Sequence, residues 1–167
     1  TMTVGGRPGL QAPCREVPSF DDDLSGLIDD IFASMAVAAG VGLAAPQIGV
    51  DLQVFVYDCI DSAGARHVGH VVNPSITTSG EPDVNDEGCL SIPGPYYELA
   101  RPSVATVTGV DKTGARVEVT GTGYFARCLQ HETDHLRGIL FIDHLPRNRR
   151  RRVLREIEPF EWNATIP

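Results

Sequence analysis

Two histidines four residues apart, with a glutamate directly after the first, are the side chains of this sequence best suited to metal chemistry. Residues 131–135 read HETDH. On a helix, positions i and i+4 share one face, so both imidazoles of His131 and His135 can reach a single divalent ion. Glu132 can reach a water on that ion without binding the ion itself, as a general base must. The pattern therefore predicts a hydrolytic metal site.

A catalytic site of this kind needs a third protein ligand, and the sequence offers several candidates. Phe141 stands where a metzincin would place its third histidine, which excludes that class. Glu156 lies near the spacing of gluzincin peptidases and stays open as an alternative ligand. Cys128 lies about 10 Å along the helix axis from His135, too far to share an ion with both histidines, and is expected in a pocket wall. Cys89, in a glycine-bearing segment, remains.

The elements that must position these residues alternate between helices and short strands. We expect an amphipathic helix that begins at residues 21–23 and ends at Gly40, which closes it in a left-handed conformation. Strands are expected at 52–57 and 67–72, the second ended by Asn73 and Pro74, followed by a loop with short extended pieces at 79–102. A hairpin over 103–120, a helix over 124–137, a short apolar run at 139–142 and a basic helix over 146–157 complete the prediction.

These elements predict an α+β domain, with antiparallel strands packed around a central helix that carries the HExxH motif. An N-terminal amphipathic helix and a basic C-terminal helix flank it. The 167 residues fit one domain, 1–167, with an irregular arm at 1–20 and the basic helix and tail at 146–167.

Charge and hydropathy limit the kinds of binding partner that we expect. The net charge of −8 argues against DNA binding, although residues from 147 onward carry six arginines and three glutamates. No stretch is long and apolar enough for a membrane span, so no membrane partner is expected. The first residues lack the apolar core of a secretory signal, and we therefore expect a cytoplasmic protein.

Three segments together resemble the signature motifs of the bacterial peptide deformylase family, in its order and spacing: GVGLAAPQ at 40–47, EGCLS at 87–91 and QHETDH at 130–135. The resemblance implies hydrolytic removal of the N-formyl group from the N-terminal formylmethionine of newly synthesised proteins. It places Cys89, His131 and His135 as metal ligands and Glu132 as the base. It assigns oxyanion stabilisation to the Gln47 side-chain amide and the Leu90 backbone N–H.

The same resemblance implies how an N-formyl-methionyl peptide binds. The peptide lies extended against the backbone of Val41, Gly42 and Gly88, while Cys128 and His131 flank the methionine pocket. One divalent ion is expected, Fe(II) first, with Zn, Ni or Co as substitutes. Family members with a basic C-terminal helix use it at the ribosome, which makes the ribosome a candidate partner here. Arg101 is expected to pair with Asp134 and brace the metal helix.

Other interpretations stay open from sequence alone. A gluzincin-like metallopeptidase would use Glu156, and a deformylase-like amidohydrolase would prefer another acyl group or peptide. A structural metal module would not need the base Glu132. Residues 40–45 also fit the dinucleotide pattern G-x-G-x-x-A, but a helix precedes and a strand follows, the reverse of a βαβ unit. His67, His70 and His144 are expected to be structural or exposed.

Overall fold

A five-stranded antiparallel sheet, in the order β1-β2-β3-β4-β5, forms the frame of the protein. The computed structural model describes residues 8–157. The strands are β1 (Gly42–Ala44), β2 (Val54–Ile60), β3 (Arg66–Cys89), β4 (Ile92–Val110) and β5 (Arg116–Thr122). The helices are α1 (Asp22–Val37), α2 (Gly123–Leu136) and α3 (Arg147–Ile157), with 3-10 turns at Pro8–Leu10, Ala45–Ile48 and Phe141–His144. The predicted α+β class is confirmed.

Helix α1 begins as its sequence predicts and ends earlier. The Asp21 carboxylate accepts a hydrogen bond from the backbone N–H of Leu24, which caps the first turn. At the other end Ala39 takes the left-handed conformation, with φ of 52°, and the N–H of Gly40 donates to the carbonyl of Met35. The prediction that Gly40 itself closes the helix was wrong, because the chain turns one residue before it.

Strand β2 is buried on both faces because a helix covers each of them. Val54 and Val56 pack in a cluster with the apolar face of α1. The alternate residues Phe55 and Tyr57 pack in a second cluster with α2. Since successive side chains of a strand point to opposite faces, this alternation places α1 and α2 on opposite sides of the sheet.

Strands β3 and β4 form one long hairpin, and here the sequence prediction was wrong. Residues 79–102, expected as a loop with only short extended pieces, belong mostly to these two long strands. Asn73 and Pro74 do not end the strand either: the β3–β4 register shifts between Val72 and Ser75, so the proline sits in an irregularity. Pairing with β2 stops at Val72, so Pro74 removes no hydrogen bond from that ladder.

The far half of this hairpin builds a third core with the C-terminal segment. The second half of the apolar run predicted at 139–142 lies within the 3-10 turn Phe141–His144, and Leu140, Phe141 and Ile142 are buried. Val153 of α3 is fully buried in the same cluster, and Cys89 packs against it. The basic helix is confirmed over Arg147–Ile157, while the predicted arm residues 1–7 and the tail 158–167 lie outside the described residues. Within the described part of the chain, no helix has the length and hydropathy of a membrane span.

Candidate metal centre

Cys89, His131 and His135 bring three metal-ligating atoms together. Cys89 ends strand β3, and the two histidines lie one turn apart on α2. The Nε2 atoms of His131 and His135 are 3.1 Å apart, and Cys89 Sγ lies 3.3 Å from the Nε2 of His135. All three donors lie within 4.8 Å of one another. Within residues 8–157, this is the one cluster of three or more such side chains with that spacing.

The spacing and chemistry of these donors fit a divalent ion. Ligand atoms bound at roughly 2.0–2.3 Å in a tetrahedral site lie about 3.3–3.8 Å apart, close to the observed separations. The Nδ1 of His131 lies 2.7 Å from the Glu87 carboxylate, which only accepts hydrogen bonds, so the neutral ring offers Nε2 as its ligand atom. Burial opposes ionisation of Cys89, but its interactions with the His135 and His131 imidazoles lower the pKa of the thiol to about 5.

Glu132 points into the same site from α2 but contributes no atom to the cluster. Its side chain is buried, and burial raises the pKa of the carboxyl group to about 7. Its Oε2 atom is buried without a hydrogen-bond partner among the described residues. A Cβ at Gly42 would lie only 2.5 Å from Glu132 Oε1, so the backbone of β1 passes directly against the carboxylate. An unsatisfied acceptor at this place suits a group that takes a proton from a small ligand.

Gln47 and the segment after Cys89 form the opposite side of the site. The 3-10 turn Ala45–Ile48 carries Gln47, whose Oε1 accepts a hydrogen bond from the N–H of Ala44 at 2.9 Å. This fixes the amide so that Nε2 points to Ser91 Oγ, at 3.2 Å, and to Cys89 Sγ, at 3.8 Å. The Gln47 amide is therefore a preoriented donor beside the three ligand atoms.

A cavity of about 330 Å³ opens onto these groups. Of the residues predicted from the sequence, nine line it: Val41, Gly42, Gln47, Gly88, Cys89, Leu90, Cys128, His131 and Glu132. His135 is absent from the lining and is almost fully buried beneath it. Tyr96 and Tyr124, both largely exposed, stand at the mouth of the cavity. Cys128 lies in the wall, as its distance from His135 predicts.

Beneath the cysteine and the two histidines lies a buried network of charged groups, of which only the Arg101–Asp134 pair was predicted from the sequence. Glu87 accepts hydrogen bonds from Arg101, at 2.6 and 3.0 Å, and from Arg127 Nη1, at 2.9 Å. Burial alone would raise the pKa of Glu87, but hydrogen bonds from His131 and Arg101 hold it well below its usual value. Glu87 is the first residue of the EGCLS motif, two residues before Cys89, and this position is the signal that could have drawn attention to it.

Asp134 extends this network. Arg101 Nη1 donates to Asp134 Oδ2 at 2.7 Å, which confirms the predicted pair. His144 Nε2 lies 2.7 Å from the same oxygen. Glu156, the alternative ligand, instead hydrogen-bonds Tyr97 and pairs with Arg152.

A family model described as polypeptide deformylase matches residues 1–151. The chain belongs to this family. It is 53% identical to peptide deformylase 1 of Streptomyces avermitilis, a match that covers 93% of this chain and 74% of the relative. It is 49% identical to the peptide deformylase of Acidothermus cellulolyticus, over 94% of this chain and 84% of the relative.

Comparison with solved structures also finds peptide deformylases. The crystal structure of a peptide deformylase from Legionella pneumophila is similar with a TM-score of 0.86 and 39% identity, covering 100% of this chain and 98% of the other. The function is peptide deformylation by a metal-dependent hydrolase, which removes the N-formyl group of the N-terminal formylmethionine of new proteins. The metallopeptidase and the altered-preference alternatives are not favoured.

Proposed function

We propose that Cys89, His131 and His135 hold the catalytic divalent ion of this deformylase. The single observation that carries this assignment is the convergence of one sulfur and two imidazole nitrogens, with Cys89 and His131 in the cavity wall and His135 buried beneath it. Helix α2 carries the HExxH motif and is thus the catalytic helix of the fold. A divalent ion bound there supplies a Lewis acid that activates water and polarises the formyl carbonyl.

The remaining chemistry falls to side chains around that position. Glu132 takes the proton of the attacking water and passes it to the departing amine, so that the C–N bond breaks and formate leaves. Negative charge that develops on the formyl oxygen is stabilised by the Gln47 amide and the Leu90 backbone N–H. The bond between Gln47 and Ala44 holds the amide in place before substrate arrives, so little reorganisation is needed during the reaction.

The edge of the sheet supports the proposed binding of the substrate peptide. Strand β1 pairs only with β2 in the described sheet, which leaves its other edge beside the cavity for an extended peptide. Gly42 lets β1 pass close to α2, because a side chain there would collide with Glu132 and Cys128. We place the formylmethionine between Val41, Gly42 and Gly88, with Cys128 and His131 beside its side chain.

Iron is the proposed native metal, with Zn, Ni or Co as substitutes. One thiolate and two imidazoles suit both Fe(II) and Zn(II), so the donor set alone supports either. Purification in air and under nitrogen, with metal analysis of both, distinguishes them. Loss of activity and of metal only in air supports iron, whereas equal zinc content and activity in both would contradict it.

The arginines of α3 support docking at the ribosome, where formylated nascent chains emerge in the cytoplasm. Arg147, Arg149 and Arg151 have exposed side chains, while Val153 anchors the other face of the helix in the core. Binding of this kind weakens as salt screens the phosphate charges. Co-sedimentation with ribosomes that falls with salt supports the proposal, and its absence at low salt would refute it.

We also propose that residues 1–167 form a single domain.

Release of formate from a formyl-Met-Ala peptide tests the function directly. An acetyl-Met-Ala peptide is the matched control, because it carries a larger acyl group on the same backbone. Rapid release of formate with little release of acetate is expected. Comparable rates on the two peptides would contradict a site built for the formyl group, and no release from either by the metal-loaded protein would overturn the function.

A further inference from the structure

A chain of buried polar contacts connects His144, at the surface, with the metal ligand His131. His144 Nε2 lies 2.7 Å from Asp134 Oδ2, and the same oxygen accepts from Arg101 Nη1 at 2.7 Å. Arg101 then contacts Glu87 through Nε and Nη2, and Glu87 lies 2.7 Å from the Nδ1 of His131. Each link has the distance of a short hydrogen bond or ion pair.

Exposure along this chain decreases from His144 inward to Glu87, and the side chain of His131 at its inner end is 11% exposed. The side chain of His144 is 38% exposed, that of Asp134 is 12%, that of Arg101 is 6% and that of Glu87 is 4% exposed. Since little water reaches the inner groups, the position of each depends on its protein partners. A buried carboxylate that loses one of its donors rotates or shifts to recover the interaction. His144 is thus the solvent-facing end of an otherwise buried relay.

The 3-10 turn that carries His144 is itself fixed against the rest of the protein. The N–H of Leu140 donates to Asp143 Oδ2 at 3.0 Å, and Arg150 Nε donates to Asp143 Oδ1 at 2.9 Å. Phe141 is buried in the cluster that Cys89 touches, and its ring stacks on that of His131 with centroids 6.3 Å apart. The turn therefore contacts the surroundings of two ligands, and His144 adds a polar contact next to the third, His135.

We propose that His144 is a positioning residue of the metal centre, which holds Asp134 and through it the Arg101–Glu87 pair that orients His131. This inference rests on the proposed ligand set. His144 does not line the cavity, so it affects how firmly the ion is held and how fast the reaction runs, and leaves substrate binding unchanged.

The size of the effect follows from the number of links. Removing a direct hydrogen-bond partner of a metal ligand costs about 10- to 100-fold in metal affinity or activity. His144 acts through three intervening groups, and Asp134 keeps its bond to Arg101 when His144 is removed. We therefore expect His144→Ala to speed metal release about 3- to 10-fold and to lower kcat by a similar factor, with KM nearly unchanged.

His67 provides a matched control. It is 36% exposed and forms a 2.8 Å pair with Asp61, so it resembles the His144–Asp134 pair in exposure and length. No described hydrogen bond or ion pair connects that pair with the metal ligands, but the ring of His67 also stacks on Phe125 of α2, with centroids 4.6 Å apart. The control is therefore His67→Phe, which keeps an aromatic ring on Phe125 and removes the polar pair without touching the relay.

The experiment measures transfer of Co(II) from the loaded enzyme to a chromophoric chelator, together with kcat and KM on formyl-Met-Ala. His144→Ala should release cobalt faster and turn over more slowly. His67→Phe should match the parent, and His144→Gln, whose amide can still donate, should restore much of the difference. If His144→Ala does not fold, His144→Phe is used in its place, because it supplies an aromatic ring that has no hydrogen-bond donor.

Equal release rates for the His144 and His67 variants would overturn the proposal, as would a change confined to KM. If Cys89 is not a metal ligand, Cys89→Ala keeps its cobalt, and this result distinguishes a wrong ligand set from a wrong role for His144. A parent that holds cobalt through Cys89, with no effect of His144, refutes the positioning role alone.

Discussion

Replacing Glu87 by glutamine removes the one charge that joins the buried network to the metal centre. Glu87 is 4% exposed, accepts from Arg101 and Arg127, and lies beside the Nδ1 of His131. The amide keeps the shape of the side chain but has one acceptor oxygen, and its NH2 group faces guanidinium donors. Arg101 then keeps only its pair with Asp134, and Arg127 keeps only a longer one with Asp83, at 3.9 Å.

The magnitude follows from burial of the unpaired charge. Breaking a buried ion pair by removing one partner costs about 3–5 kcal/mol, a large part of the roughly 5–15 kcal/mol that stabilises a domain. In a protein of this size that corresponds to a fall of about 6–20 °C in Tm. Metal affinity should fall about 10- to 100-fold as well, because the ring of His131 loses the carboxylate that fixes its orientation.

Urea denaturation of the metal-free protein measures the first effect, and chelator competition with cobalt measures the second. Glu98→Gln is the control, since Glu98 is exposed and lies on the same hairpin, so its change should stay within about 0.5 kcal/mol. If Glu87→Gln were as stable as Glu98→Gln and held cobalt as tightly as the parent, the reasoning about the network would be refuted.

Four further results are expected. Hydrogen bonds lower the pKa of Glu87 from 4.5 in the folded protein, so its contribution to stability is complete above pH 4.5 and is lost as the pH falls below that value. The urea concentration at the unfolding midpoint of the metal-free protein should therefore decrease when the pH is lowered below 4.5, and it should decrease less steeply in Glu87→Gln. Parallel slopes for the two proteins would contradict this. Glu132→Gln should keep its metal and lose about 10²- to 10⁴-fold in kcat, whereas near-parent turnover would remove it as the base. Gln47→Ala should lose about 10²- to 10³-fold in kcat with its metal retained, and a change in KM alone would argue for a binding role. Gly42→Ala places a Cβ 2.5 Å from Glu132 Oε1 and should abolish most activity. Gly26→Ala, whose Cβ would have nothing within 4 Å, should match the parent in formate release. An active Gly42→Ala would show that the cleft accommodates the added methyl group.

The residues of α2 were predictable because the signals that mark them are local. Helical spacing alone placed His131 and His135 on one face, and Asp21 capped α1 as its side-chain chemistry predicts. Choosing Cys89 as the third ligand required three motifs together, since no local pattern connects it with a helix some forty residues later.

The hairpin and the ion network were not predictable from local patterns. Gly80 and Pro82 suggested a loop, yet the β3–β4 register shifts between Ser79 and Pro82, so they sit in a bulge of a continuing strand. The Arg127–Glu87 pair joins residues 40 positions apart, and a contact at that separation leaves no periodic trace in a single sequence. Tertiary pairing, rather than propensity, decided both.

The metal content of two cysteine variants tests the central claim most directly. Cys89→Ser and Cys128→Ser both change a thiol of the same cavity, but only Cys89 has its sulfur beside the two imidazoles. After anaerobic purification, Cys128→Ser should retain about one divalent ion per chain and Cys89→Ser should retain almost none. A full equivalent of metal in Cys89→Ser, held as tightly as in the parent, would contradict the proposed metal centre.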